Sequence, residues 1–106
     1  MFKAIILLKR KESDSMSDFK NWWLNDHAPL AKNLPGLRKA VFNLSSGDGD
    51  GEFDGVSELW FDSKEHFERA YATEHGQKVA ADSFANVSKR ERILVDEFEV
   101  VGESGI

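Results

Sequence analysis

The sequence predicts an α+β fold, a four-stranded antiparallel sheet with its helices on one face in the order β-α-β-β-α-β. Three observations predict it. Four short stretches rich in branched apolar residues are interleaved with two amphipathic helical patterns. The second and third stretches are joined by a glycine-rich loop and not by a helix. The chain has 106 residues, one domain's worth, so residues 1–106 are expected to share a single core.

Phe2 to Lys9 carries Ala4, Ile6 and Leu8 on one alternation and Ile5 and Leu7 on the other, the pattern of a strand buried on both faces. A polar loop, Arg10 to Asp14, follows. Ser15 then caps a helix, with Asp18 three residues on in the position of a capping box. Met16, Phe19, Trp23, His27, Leu30 and Leu34 recur at steps of 3, 4, 4, 3 and 4, and His27 is the polar member of that stripe. Pro29 inside the pattern predicts a kink near Asn25, or a break and restart there. Pro35-Gly36 ends the helix.

Leu37 to Leu44 reads as the second strand, Ser45 to Gly55 as a hairpin loop and Val56 to Phe61 as the third strand. Asp62 is expected to begin the next helix, with Glu65 completing a capping box and Phe67, Ala70 and Tyr71 forming its apolar face. The pattern over Glu74 to Val87 is weaker. Val79, Ser83 and Phe84 allow only a short helix packed loosely on the body. Ile93, Leu94, Val95, Phe98, Val100 and Val101 make Arg90 to Val101 the last strand. This order is that of the ferredoxin-like split βαβ arrangement.

One layer of helices covers one side of such a sheet. The strands are nevertheless apolar on both alternations, and a large bare apolar face is a liability for a monomer. A two-fold homodimer through the open sheet face is therefore expected.

Composition narrows the function. Hydrophobic residues at 41% and charged residues at 31% exclude disordered and fibrous classes. A net charge of −5, with no basic stripe, argues against a nucleic-acid partner. The absence of cysteine excludes disulfides, iron–sulfur clusters, thiolate zinc sites and a cysteine nucleophile. The apolar run at the start is too short for a membrane span, and its basic cluster follows the run, the reverse of a secretory signal. A cytoplasmic protein without membrane contact is expected.

No metal or cofactor is expected either. His27, His66 and His75 lack any His-x-His or His-x3-His spacing, and His66 and His75 are expected in solvent. Asp50, Glu52, Asp54 and Gly55 mimic the first half of an EF-hand loop, but Phe61 stands where the bidentate glutamate is needed. The glycines precede a strand instead of opening a helix, so phosphate-cradling fingerprints are missing.

Two residues are candidates for chemistry. His27 lies on the sheet-facing side of its helix and titrates near neutrality, which suits proton transfer. The competing reading is a structural histidine hydrogen-bonded at the helix edge. Glu58 lies mid-strand on the same face as Trp60, where desolvation beside an indole would raise its pKa. The competing reading is a glutamate that reaches solvent or pairs with Arg38 or Lys39 across the sheet. Trp23 is expected in the core. Trp22 or Trp60, with Leu7 and Leu30, is expected to wall a ligand space or the dimer interface.

These residues resemble a known family. Lys3 to Lys11 is one part of the likeness. The strongest is Phe19-Lys20-Asn21-Trp22-Trp23-Leu24-Asn25-Asp26-His27-Ala28-Pro29-Leu30-Ala31, followed by Leu34-Pro35-Gly36-Leu37-Arg38. Asp54 to Asp62 and Asp82-Ser83-Phe84 complete it. Together they resemble the EthD family of the dimeric α+β barrel superfamily. The resemblance implies a ferredoxin-like protomer that pairs into a barrel, with a small apolar cavity between helices and sheet. It also implies a link to oxidative breakdown of ethers or aromatic compounds, by cofactor-independent oxidation, isomerisation or decarboxylation, with His27 as acid/base. Relatives often carry a tyrosine where this chain has Ala40.

Three functional readings follow. The first is a cofactor-independent enzyme on a small hydrophobic or aromatic substrate, with His27 shuttling a proton, Glu58 orienting it and Trp22 and Trp60 walling the cavity. The second is a non-catalytic binding or accessory protein for a partner monooxygenase. The third is a haem-handling protein with His27 as axial ligand.

Overall fold

β1 (Phe2–Arg10) runs through the middle of the sheet, where both neighbours can saturate its backbone. The computed structural model describes residues 1–47 and 49–102. After β1 come α1 (Met16–Asn21), a π-helical turn (Trp22–His27), α2 (Ala28–Ala31), β2 (Lys39–Leu44) and β3 (Gly55–Phe61). α3 (Lys64–Ala72), α4 (Glu74–Asn86) and β4 (Val87–Asp96) complete the chain. The sheet order is β2-β3-β1-β4, and every neighbouring pair is antiparallel. This is the expected α+β, ferredoxin-like architecture.

The register decides which residues share a face. Ala4, Ile6 and Leu8 are buried, opposite Leu59, Ser57 and Gly55 of β3. This face carries the helices, and its core includes Phe19, Trp23, Phe61, Phe67 and Val79. Lys3, Ile5 and Leu7 point the other way, opposite Trp60, Glu58 and Val56.

The helix around Pro29 neither breaks nor restarts. Ser15 and Asp18 form the expected capping box. Proline cannot donate a backbone hydrogen bond, and the chain accommodates this by widening one turn. The Ala28 N–H bonds the Trp23 carbonyl five residues back, and α spacing resumes with Lys32 N–H to the Ala28 carbonyl. Such π turns recur at functional sites. Here the turn keeps Trp23 and His27 both buried on the inward side. Gly36, at φ 78°, ends the segment in the left-handed region.

Three boundaries differ from the sequence expectation. The cap of α3 is Ser63, whose hydroxyl accepts from the His66 N–H, so Glu65 has no capping-box role. Asp62 instead takes a two-pronged hydrogen bond from Arg38. The last strand begins at Val87 and ends at Asp96, leaving Phe98, Val100 and Val101 exposed beyond it.

The third difference is α4, which is a full 13-residue helix and not a loose one. Thr73 caps it by accepting from the Gly76 N–H, and its hydroxyl donates to the Ala70 carbonyl. Val79 and Ser83 are buried against the sheet, and His75 Nε2 donates to the Leu30 carbonyl at 2.8 Å, so His75 is not simply solvated. The turn between α3 and α4 is tight enough that a Cβ at Gly76 would collide with the Ala70 carbonyl oxygen. Gly76→Ala should therefore cost about 1–3 kcal/mol, as backbone overpacking does. A urea midpoint equal to that of the parent protein would refute this.

The glycine-rich loop is anchored rather than built for calcium. Asp54 is buried, and its carboxylate accepts from the Arg10 backbone N–H at 2.9 Å and from Arg10 Nη1 at 2.8 Å. Its own N–H donates to the Leu8 carbonyl. The carboxylate expected to mimic a calcium ligand ties the loop to β1. Among the described residues, no three His, Cys, Asp or Glu side chains converge as a metal site, and no helix is long and apolar enough to cross a membrane.

Candidate functional site

His27 sits at the end of the π turn, 5% exposed, with its ring between Trp22 and Phe42. The ring centroids lie 5.1 Å from Trp22 and 6.2 Å from Phe42. Nδ1 is 2.8 Å from Asp82 Oδ2, and Nε2 is 3.3 Å from Ser83 Oγ. A carboxylate oxygen only accepts, so Nδ1 carries the proton and the inward-facing Nε2 lone pair accepts from the Ser83 hydroxyl. Asp82 is itself held in place. Its Oδ2 also accepts from Trp22 Nε1 at 3.2 Å, and its Oδ1 accepts from Asn86 Nδ2 at 3.2 Å.

The imidazole is therefore oriented by a carboxylate on α4. Burial lowers the His27 pKa most strongly. The hydrogen bond and charge of Asp82 pull it up, while Arg90 adds a small push downward; the net position is below the ordinary 6.5. Because the folded pKa is depressed, the unfolded chain binds more protons as the pH drops below about 6.5. His27 thus contributes stability above that pH and loses it as the pH falls through the folded value. His27→Gln should make the urea midpoint fall less steeply between pH 7.5 and pH 5 than in the parent protein. Identical slopes would contradict this.

Nε2 opens on a void of about 10 Å³ bounded by His27, Phe42, Ser57, Tyr71, Ser83 and Arg90, among others. By this measure a single water needs about 10–15 Å³. The ligand-sized hollow between helices and sheet is thus not open in this protomer. Haem does not fit at His27, since Nδ1 is engaged by Asp82 and Nε2 meets Ser83 beside a void of about 10 Å³. Two larger surface clefts share walls with the void. One, of about 400 Å³, lies over Ala31 and Phe42 and is bordered by Leu24, Pro29 and Ala40. The other, of about 730 Å³, lies over Tyr71, Ala80 and Arg90.

The six residues expected to form one site fall on two sides of the sheet. His27, Trp22 and Leu30 lie on the helix side. Leu30 packs against the core and contributes its carbonyl to His75, whereas Trp22 covers the outer side of His27 and donates to Asp82. Leu7, Glu58 and Trp60 lie on the open side. Glu58 does not meet His27. It accepts from Lys3 Nζ at 2.9 Å and from Asn43 Nδ2 at 3.2 Å, and pairs with neither Arg38 nor Lys39. Burial pushes its carboxyl up as expected, but the Lys3 and Asn43 hydrogen bonds outweigh that and hold it below the usual carboxylate range. Trp60 lies between the Lys3 and Lys39 ammonium groups, each 4.8 Å from its ring, and donates to Glu97 Oε1.

The residue missed from sequence as the partner of His27 is Asp82. A helix of clear amphipathic strength at Glu74–Asn86 would have pointed to it, but small residues carry the inward face of α4. Trp23 is in the core as expected, wholly buried.

The EthD domain model matches residues 11–89. An ethyl tert-butyl ether D (EthD) family protein from Bacillus halodurans C-125 is similar over 92% of this chain and 100% of its own, with 26% identity and a TM-score of 0.80. A dimeric ferredoxin-like protein of unknown function from Thermobifida fusca is 15% identical over 89% of this chain and 88% of its own, with a TM-score of 0.72. SnoaB, a cofactor-independent oxygenase from Streptomyces nogalater, is 16% identical over 96% and 97%, with a TM-score of 0.71. The last two share the fold. No curated protein matches the sequence.

Proposed function

The chain belongs to the EthD domain family, and from that premise we propose that it takes up a small hydrophobic or aromatic molecule on the helix side of its sheet and moves a proton on it with His27. The observation that carries this reading is the buried imidazole, oriented by Asp82 at Nδ1, with Nε2 an acceptor turned inward that the Ser83 hydroxyl occupies until a substrate proton replaces it. A neutral histidine in that state is a general base. It would accept a proton from an acidic C–H or O–H, and the electron pair would stay on the substrate. Asp82 would stabilise the imidazolium so formed. Returning the proton to another atom gives isomerisation, and transferring electrons to dioxygen gives oxidation. Neither course calls on a bound cofactor.

Because the void itself holds about one water, only the reacting end of a substrate reaches Nε2. The remainder must occupy an adjoining cleft. The same small void favours a second reading, a binding or accessory protein in which His27 orients the ligand without reacting. One titration separates the two. 2-Naphthol, neutral at pH 7, should shift the His27 ¹⁵N resonances and quench tryptophan fluorescence. His27→Gln should weaken this binding and abolish exchange of ring hydrogens with deuterated solvent. Exchange equal to that in buffer alone supports the accessory reading, and no perturbation of His27 overturns both.

The protein also pairs through its open face in this proposal. Ile5, Leu7, Val56 and Ile93 lie on the side that no element covers, and Ile93 is 52% exposed. Glu58, Trp60 and Lys3 would then border the contact. Ile5→Lys with Ile93→Lys should convert the dimer to a monomer by analytical ultracentrifugation. A parent protein that sediments as a monomer at micromolar concentration would refute the pairing.

A further inference from the structure

Arg90 is a half-buried charge that the His27–Asp82 pair leaves unexplained. It lies on the helix side of β4, opposite Leu8, and its Nε is fully buried without a hydrogen-bond partner. Buried polar groups are nearly always satisfied, so among the described residues this guanidinium is left with hydrogen-bonding capacity that no protein group takes up. Arg90 borders both the void at His27 and the 730 Å³ cleft. Arg92, two residues on and on the same face, borders that cleft too. Among the described residues neither arginine makes an ion pair; each guanidinium instead lies over an aromatic ring, Arg90 over Phe84 and Arg92 over Phe67.

The surroundings are chemically one-sided. The cleft lining contains no carboxylate, although acidic residues outnumber basic ones by 19 to 14. Aromatic rings accompany the charges. The Arg90 guanidinium carbon lies 4.9 Å from the Phe84 ring centroid, and Phe84 is 64% exposed on the rim. Tyr71 forms part of the wall shared with the void. Two unpaired guanidinium groups beside exposed aromatic surface make a site for an anionic oxygen on a flat apolar body. The depression is shallow and open to solvent, so a ligand would lie along its wall and not be enclosed by it.

We infer that the cleft between α4 and β4 is the binding site for an aromatic or apolar organic anion, a carboxylate or the enolate or phenolate of the same skeleton, held by Arg90 and Arg92. This rests on the proposed role of His27 and specifies its substrate class. Arg90 grips the charged end, Phe84 covers the ring, and the edge nearest Tyr71 reaches the void before Nε2. Where the substrate ionises on the protein, the same guanidinium receives the charge left on oxygen when Nε2 takes the proton.

The probes are 2-naphthoate, its methyl ester and 2-naphthol, titrated by tryptophan fluorescence and by His27 ¹⁵N shifts. The net charge of −5 repels an anion, so tighter binding of the acid than of the ester reports a local cationic site. The acid should bind at least about tenfold more tightly than the ester, as expected for a charge-assisted pair. Arg90→Gln should remove that preference and leave ester binding intact, which also shows that the variant is folded. Arg92→Gln should reduce it partly, and Arg90→Lys should retain part of it. Equal affinity for acid and ester, or an unchanged preference in Arg90→Gln, overturns the inference. If 2-naphthol still shifts His27 in that case, the reading of His27 survives. If the acid binds through Arg90 without disturbing His27, the anion site stands and the proton-transfer reading falls.

Discussion

Trp23→Ala should remove about 3–5 kcal/mol of stability, the range for truncating a buried aromatic side chain where the surroundings cannot collapse. Domains of this size have about 5–15 kcal/mol in total, so the variant should be close to unfolding at 37 °C. The indole is wholly buried, stacked on Phe42 at 4.6 Å and tilted against Phe19 at 5.2 Å. It also lies so close to Gly55 that a Cβ there would come within 2.7 Å of its ring. Backbone on one side and rings on the others leave nothing free to fill the hole. Trp23→Phe should cost much less. Its Nε1 is buried without a partner, and removing an unsatisfied donor recovers about 1–3 kcal/mol of the lost packing. Urea unfolding of both variants checks the pair. A Trp23→Phe loss as large as that of Trp23→Ala would mean that the indole N–H is satisfied after all.

Asp82→Asn should have the largest effect on chemistry. The carboxylate accepts from His27, Trp22 and Asn86. An amide keeps the shape but loses the charge and sets one of its own donors against this ring of donors. The hydrogen bond and charge of Asp82 are what hold the His27 pKa up against burial, so the His27 titration should move further down. The change is read directly by NMR. Turnover carried by His27 should fall about 100-fold or more, because a misoriented imidazole presents the wrong nitrogen. Losing a charge-assisted hydrogen bond should also cost about 1.5–3 kcal/mol. An unchanged His27 titration in Asp82→Asn would remove Asp82 as the positioning residue.

The fold was legible because its signals are local. Two-residue alternation in β1, the Ser15–Asp18 box and Gly36 each act within a few neighbours. Features that depend on partners distant in sequence were harder to read. Pro29 predicted a kink near Asn25 or a break and restart there; the irregularity is at that place, but it is a turn widened to i+5 spacing through which the helix continues. The weak pattern of α4 concealed a well-packed helix, because Gly76 and Ser83 are buried for being small, and smallness carries little hydrophobic signal. Glu58 was expected beside His27. A strand residue's face is fixed by register, and Glu58 pairs across from Ile5 on the side away from the helices.

By itself the sequence determined the element order, the helix-facing and open-facing alternations and the presence of one histidine within an apolar helical stripe. These follow from periodicity, which every residue reports through its immediate neighbours. The tertiary structure alone decided that Asp82, 55 residues away in the chain, orients that histidine, and that Arg90 lies unpaired at the edge of the same void. Such pairings depend on how α4 settles between the π turn and β4, a packing outcome that no local pattern encodes.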